Sequence, residues 1–222
     1  MVEYILRGGY MNGSYFYVAK VTDNQDKEKL NRVKVTVPLA EESVSYWLPY
    51  LSAAAGNGMG FSSLPDIDDQ VLVLVMGDSR DSQIVLGSFW NAKFTPPETG
   101  ENTDADLNGD GKNSLTFFKS KSGNMIILDD TKDKEKIQII ATGGKSRFEI
   151  DNENKLINME TDKDIRFSAK GAISIQAEEK ISLTAKKGFS IESEDFTIKA
   201  SKEINIEARK DMTLKGSGIA LN

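Results

Sequence analysis

Residues 165–183 read IRFSAKGAISIQAEEKISL, in which the apolar doublets Ile165/Phe167, Ile173/Ile175 and Ile181/Leu183 recur every eight residues. The pattern continues to the end of the sequence with the doublets Phe189/Ile191, Phe196/Ile198, Ile204/Ile206, Met212/Leu214 and Ile219/Leu221. Residues two apart face the same side of a β-strand, and this period contradicts a helix. Each unit is therefore predicted to be a short strand with two inward apolar side chains, followed by a turn.

One such strand buries too little apolar surface to be stable alone, so other strands must enclose its inner face. Three sides make the smallest closed prism, which leaves two arrangements besides an ordinary sheet or solenoid. One chain could form all three sides and would build a stub on the order of 13 Å high, because strands stack about 4.8 Å apart. Three chains wound around each other would build a needle of about 38 Å. Less regular doublets at Ile137/Ile139, Phe148/Ile150 and Ile157/Met159 suggest that the stack begins earlier.

The first part of the chain has a different pattern. Short β-branched or aromatic runs, separated by turn-forming residues, predict five or six strands and no helix. Among them, the continuous apolar run 71–76 predicts a fully buried strand. A small closed barrel is expected, because closure removes exposed sheet edges. The runs are residues 15–21, 33–38, 46–51, 71–76 and 83–90.

Composition changes sharply along the chain. All five prolines, both tryptophans and all six tyrosines lie within the first 97 residues. The stretch Thr95-Pro-Pro-Glu-Thr-Gly100 is typical of a linker. We therefore predict an all-β protein with a barrel over residues 1–94, a linker over 95–114, and repeats over 115–222.

The absence of histidine and cysteine restricts the chemistry. Ser-His-Asp and Cys-His catalysis, His-bound zinc, thiolate metal sites and disulfides are all excluded. A net charge of -6 argues against a phosphate-driven nucleic-acid binder. No apolar run is long enough to span a membrane and no signal peptide is recognised, so we expect synthesis in the cytoplasm.

Several blocks of the first part resemble a known family. They are residues 21–38, Trp47-Leu-Pro49, Gly58-Met-Gly-Phe61, Leu64-Pro65 with Asp69, and Val85-Leu-Gly-Ser-Phe-Trp-Asn91. In this order they resemble the spike proteins of contractile injection machines, namely phage baseplate assembly protein V and the VgrG proteins of type VI secretion. The resemblance covers roughly residues 15–91, and residues 119–130 are similar to the family's entry into its needle, with Gly123 permitting a tight turn.

The resemblance implies an OB-like barrel at the wide end of a homotrimeric spike, followed by an intertwined β-helical needle. The doublets from Ile165 to Leu214 would then form the needle core and trimer interface, and Ile219, Leu221 and Asn222 its tip. The implied partners are a separate baseplate hub protein, a PAAR-type tip protein and, transiently, the target membrane. Some relatives hold tip iron with His-x-His pairs, which this chain lacks, so no cofactor is expected.

Three local patterns could carry other chemistry. Residues 104–111 imitate the start of a calcium-binding EF-hand loop, but Leu115 stands where the twelfth-position Glu belongs, which favours a polar linker. Gly56, Gly58 and Gly60 have the wrong spacing for a dinucleotide loop and indicate a barrel loop. The acidic groups 66–69 and 129–130 could in principle hydrolyse glycosides, but turn formation explains them better. The alternatives to a puncturing spike are thus a ligand-binding barrel on a trimeric stalk and, third, a cell-wall hydrolase.

Overall fold

The described part of the chain is entirely β-strand and irregular structure. A computed structural model describes residues 13–37, 44–77, 82–97 and 111–220. The chain divides into two compact units, Met1–Ile165 and Arg166–Asn222. The predicted domain boundaries after residues 94 and 114 stay predictions. The strands are β1 Tyr15–Asp23, β2 Arg32–Thr36, β3 Leu48–Pro49, β4 Ala55–Gly56, β5 Met59–Gly60, β6 Gln70–Val75, β7 Gln83–Ser88, β8 Leu115–Lys119, β9 Met125–Asp129, β10 Lys136–Ile140, β11 Arg147–Asp151 and β12 Leu156–Glu160.

The first five-stranded sheet curls into a nearly closed barrel. Its strand order is β3-β2-β1-β6-β7, with antiparallel pairing throughout. The two outer strands meet where Tyr50 forms a parallel bridge with Val85, and the Leu51 N–H donates to the Val85 carbonyl at 2.8 Å. This closure leaves little of the sheet edge open, in agreement with the predicted small barrel. The glycine-rich stretch forms the β4–β5 hairpin, which confirms its interpretation as a loop of the barrel.

Side chains at every second residue of the strands point inward and fill the interior of the barrel. Strand β6 turns Val71, Val73 and Val75 inward, where they are at most 3% exposed. The expectation that the whole run 71–76 is buried is wrong, because Leu72 and Leu74 lie half-buried on the outer surface and Met76 is 47% exposed. The buried core comprises Ala19, Val21, Val33, Val35, Leu48, Val71, Val73 and Val85.

Asp26 fixes the loop between β1 and β2. Its carboxylate accepts hydrogen bonds from the Glu28 and Leu30 N–H groups at 3.1 and 3.0 Å. It also accepts Nε and Nη2 of Arg32 at 2.8 and 2.7 Å, and the two side chains are only 5% and 19% exposed. The hydrogen bonds and charge of the Arg32 guanidinium hold the pKa of Asp26 well below its usual range.

We expect Asp26→Asn to lower the melting temperature of the barrel at neutral pH. Because the pKa of Asp26 is lower in the folded state, its carboxylate stabilises the fold above the ordinary pKa of about 3.9. This stabilisation is lost as the pH falls through the folded-state pKa, so the melting-temperature difference from wild type should shrink below about pH 4. Both tryptophans lie in the barrel sequence, so their fluorescence reports its unfolding.

Glu28→Gln is the matched control for this prediction. The Glu28 carboxylate also touches Arg32, at 3.2 Å, but its side chain is 68% exposed. Exposed ion pairs contribute little, so the control should melt close to wild type. Equal losses in the two variants would show that Asp26 is not the fixing group.

The second five-stranded sheet is a simple meander in the order β8-β9-β10-β11-β12. Every neighbouring pair is antiparallel and joined by a short turn. Gly123 lies in the first turn with φ of 93° and donates its N–H to the Ser120 carbonyl at 2.9 Å, which confirms the predicted tight turn. Asp133, Gly143 and Lys155 also have positive φ, of 62°, 79° and 51°, in the three later turns.

The second unit, residues 166–222, forms no β-ladder among its described residues. Its backbone bends near residues 170–171, 178–179, 186–187, 194, 201–202, 209–210 and 217. These bends recur between successive apolar doublets, at the spacing found in the sequence. The intertwined needle itself stays a prediction, because its other strands would come from other chains.

Candidate functional site: an exposed apolar face

One face of the meander carries apolar side chains in two rows that cross all five strands. In the first row, register places Phe118 opposite Ile126, then Ile139, Phe148 and Met159. The second row begins at Thr116 and continues through Leu128, Ile137, Ile150 and Ile157. The nine apolar members of the two rows are called the apolar face below.

The apolar face is the more exposed side of the sheet. Ile139 is 51% exposed and Ile157 is 67% exposed, whereas the neighbouring Gln138 on the opposite face is only 8% exposed. The opposite face also buries Leu115 and Ile127, which are 6% and 4% exposed, so it is the covered face of the sheet. The uncovered apolar patch makes the apolar face a candidate interaction surface.

Polar side chains pair with one another across the opposite face. The Gln138 amide donates to Glu149 Oε2 at 2.6 Å, and Arg147 Nε donates to Glu160 Oε2 at 3.0 Å. The bond from Asn158 and the charge of Arg147 lower the pKa of Glu160. These cross-strand pairs satisfy polar groups of the opposite face, and the apolar face is the one left uncovered in the single chain.

The doublets that the sequence predicts as the needle core are not buried within the single chain. Every one of their side chains is between 46% and 74% exposed. The first members of these doublets are Ile165, Ile173, Ile181, Phe189, Phe196, Ile204 and Met212. The second members, which are exposed in the same way, are Phe167, Ile175, Leu183, Ile191, Ile198, Ile206 and Leu214.

Core residues are normally buried, whereas these doublets are exposed, because no sheet among the described residues covers them. The described part of the second unit forms no ladder, so one chain supplies neither the second nor the third side that would cover these side chains. Their role as a core shared between chains stays a prediction. Ile219 of the predicted tip is 57% exposed, while Leu221 and Asn222 lie outside the described residues.

The doublet pattern runs continuously from the meander into the second unit. Within the meander, doublets begin at residues 126, 137, 148 and 157, and the next begins at 165. The spacing shortens from 11 residues to 9 and then 8, since hairpin turns require additional residues. The doublets on β10, β11 and β12 were predicted from the sequence, whereas Ile126/Leu128 and Phe118 were missed, although the same alternation could have revealed them.

The acidic groups considered for hydrolysis are occupied in turns and ion pairs. The Asp69 carboxylate accepts the Asp66 N–H at 2.8 Å, and Asp68 pairs with Lys20 at 2.8 Å. Asp66 pairs with Lys121, and Asp129 accepts the Thr131 N–H at 2.9 Å. Burial and the charge of Asp68 raise the pKa of Asp69.

Metal ligation finds no support within the described ranges, where no three carboxylates converge as ligands. The calcium-like stretch 104–111 lies almost wholly outside the described residues. The part of the chain that the structure describes also holds no apolar helix of membrane-spanning length.

The barrel topology and its closure at Tyr50 agree with a comparison of the sequence with known families. Residues 17–90 match the family model of the type VI secretion system/phage-baseplate injector OB domain. The match covers roughly a third of the chain and supports a structural, baseplate-associated role in a phage or secretion particle. No curated protein matches the chain.

Proposed function

We propose that the chain is the structural spike of a contractile injection machine, whether a phage tail, a tailocin or a type VI-like system. It sits on the baseplate hub through its barrel and punctures the target cell envelope with its carboxy-terminal part. The match of residues 17–90 to injector OB domains supports the position at the baseplate. The observation that carries the proposal is the unbroken series of exposed apolar doublets that follows the barrel.

A homotrimer accounts for these doublets. A large apolar side chain such as Leu or Ile contributes about 1.5–3 kcal/mol when it is fully buried. Fifteen large apolar side chains between Ile165 and Ile219 are exposed, so covering them contributes on the order of 20 kcal/mol per chain. Three copies form the smallest closed prism, with two side chains from each strand directed to its axis.

The proposed action is mechanical. Sheath contraction pushes the spike, and continuous backbone pairing along three sides gives the stiffness that transmits the force. No bond is made or broken, so we propose that the chain is not an enzyme. A separate hub protein binds at the amino-terminal end, and the end at Ile219 receives a PAAR-type tip or terminates bare.

The mass in solution tests the trimer directly. Light scattering on the full chain should give three times 24.5 kDa, about 74 kDa, independent of dilution in the micromolar range. A monodisperse mass of 24.5 kDa, with the carboxy-terminal part resistant to protease, would contradict the proposal.

Crosslinking in the producing cells tests the role in the machine. The proposed spike should crosslink to a baseplate protein through its barrel. A trimer that forms no such crosslink, and instead retains a small molecule, would favour the alternative of a ligand-binding barrel on a trimeric stalk. Peptidoglycan hydrolysis by the purified trimer would favour the third alternative.

A further inference from the structure

A groove runs along the outer edge of β8, the first strand of the meander. Its volume is about 600 Å³, and one wall consists of Trp90, Pro96 and Pro97 from the end of the barrel sequence. The other wall includes Phe117 from one face of β8 and Phe118 from the other. A cavity that touches side chains of both faces follows the edge of the strand rather than a face of the sheet.

The backbone of β8 presents hydrogen-bonding groups to this groove. The Asp130 N–H donates to the Ser114 carbonyl and the Ser120 N–H to the Asn124 carbonyl, so the even-numbered residues of β8 bond to β9. By antiparallel alternation, the N–H and C=O of Leu115 and Phe117 point away from β9, towards the groove. Among the described residues, no backbone group bonds to these outward groups.

We propose that this groove binds an extended peptide segment of a partner protein, which adds to the meander as a sixth strand. Only an extended chain offers donors and acceptors at the spacing of a strand edge, so the exposed backbone groups select the conformation of the occupant. Five residues of such a chain occupy about 17 Å × 4.8 Å × 10 Å, or roughly 800 Å³, which is comparable with the open groove. The wall opposite β8 contains two prolines, which have no N–H, and an indole 61% exposed, so it suits apolar side chains.

Two occupants from the same protein fit less well. Residues 98–110 carry five carboxylates and a single leucine, and burying carboxylates against this apolar wall is unfavourable. A second copy of β8 would have to pair through a twofold axis, which a threefold ring lacks. The argument against a second copy of β8 rests on the proposed trimer, whereas the shape and polarity of the groove do not depend on it.

The test uses the full chain carrying Trp47→Phe, which leaves Trp90 as its sole tryptophan. Synthetic heptapeptides in which Val, Ile or Phe alternates with Thr or Lys are titrated while Trp90 fluorescence is followed. At least one peptide should bind saturably, and N-methylation of its alternate amide nitrogens should weaken binding at least tenfold. If no peptide binds better than its N-methylated partner, the proposal is wrong.

A pair of variants at Phe117 isolates the backbone contribution. Phe117→Pro removes the outward N–H and leaves the bonds between β8 and β9 intact, because residue 117 does not bond to β9. Phe117→Ala removes the same aromatic ring but keeps the N–H. Peptide binding should be at least tenfold weaker in the proline variant than in the alanine variant, and equal binding would overturn the proposal.

Two further readouts identify the other occupants. If replacing residues 98–110 by a glycine-serine linker strengthens peptide binding tenfold, the linker is the occupant and the proposal is wrong. If Phe117→Pro, but not Phe117→Ala, changes the mass by light scattering, the occupant is a second copy and the proposal is again wrong. If the wild-type protein is monomeric but still binds the peptide, the proposed trimer is wrong and the proposed peptide binding at the groove stands.

Discussion

Replacing Ile181 with aspartate is expected to abolish the trimer. In the proposed assembly three aspartates would meet near the axis, in an environment that excludes water. An unpaired buried carboxylate costs several kcal/mol, so three copies disfavour assembly by more than about 10 kcal/mol. A change of that size weakens association by roughly seven powers of ten. Light scattering should therefore report about 24.5 kDa instead of three times that mass.

Ser182→Asp is the control, because residue 182 faces the side of the strand opposite to Ile181. It introduces the same charge one position away and should leave the trimer unchanged. Trimer yields from Ile181→Asp that match those of wild type would mean that the doublets do not point to a shared axis. Loss of the trimer in both variants would instead indicate a general effect of charge.

The second large effect is expected from Ile139→Asp, at the centre of the apolar face. Ile139 is 51% exposed in the single chain, so an aspartate there remains hydrated in an isolated chain and should not unfold it. In the proposed trimer the same carboxylate would be enclosed by two other copies. The variant should therefore keep the tryptophan fluorescence and melting temperature of the barrel while its mass falls to that of one chain.

Lys132→Gln provides the matched charge change for the meander, because it also lowers the net charge by one. The Lys132 side chain lies in the turn between β9 and β10 and is 90% exposed. It should remain trimeric. A trimeric Ile139→Asp protein would show that the apolar face meets solvent or a different partner, whatever the outcome at Ile181.

The barrel could be anticipated because its signals are local. Alternation of buried and outward positions in β1 and β2, and the β-branched run of β6, are visible within single stretches of sequence. What could not be anticipated was the outward placement of Leu72 and Leu74. A strand that is apolar on both faces has the same sequence whether it is covered on one side or two, and only the finished barrel distinguishes them.

The meander could also be predicted only in part from the sequence. The doublets on β10, β11 and β12 were predicted as early members of the repeat, but the pairing of those strands within one chain was not. Hairpins form there because residues such as Asp133 and Lys155 adopt positive φ, a state that the sequence permits but does not specify. The free edge at Phe117 and the groove beside it follow from that pairing, so they were invisible in the sequence.

The sequence by itself determined that two architectures share this chain and that the second one repeats a pair of apolar side chains at nearly constant spacing. These are properties of neighbouring residues, and a period-two pattern needs no partner to be recognised. The tertiary structure decided which backbone groups pair and which face is left uncovered: Tyr50 closes the barrel on Val85, and Ile139 faces outward while Gln138 is buried. Pairing and burial depend on contacts between residues far apart in the chain, whose energies are settled only when all the strands are in place.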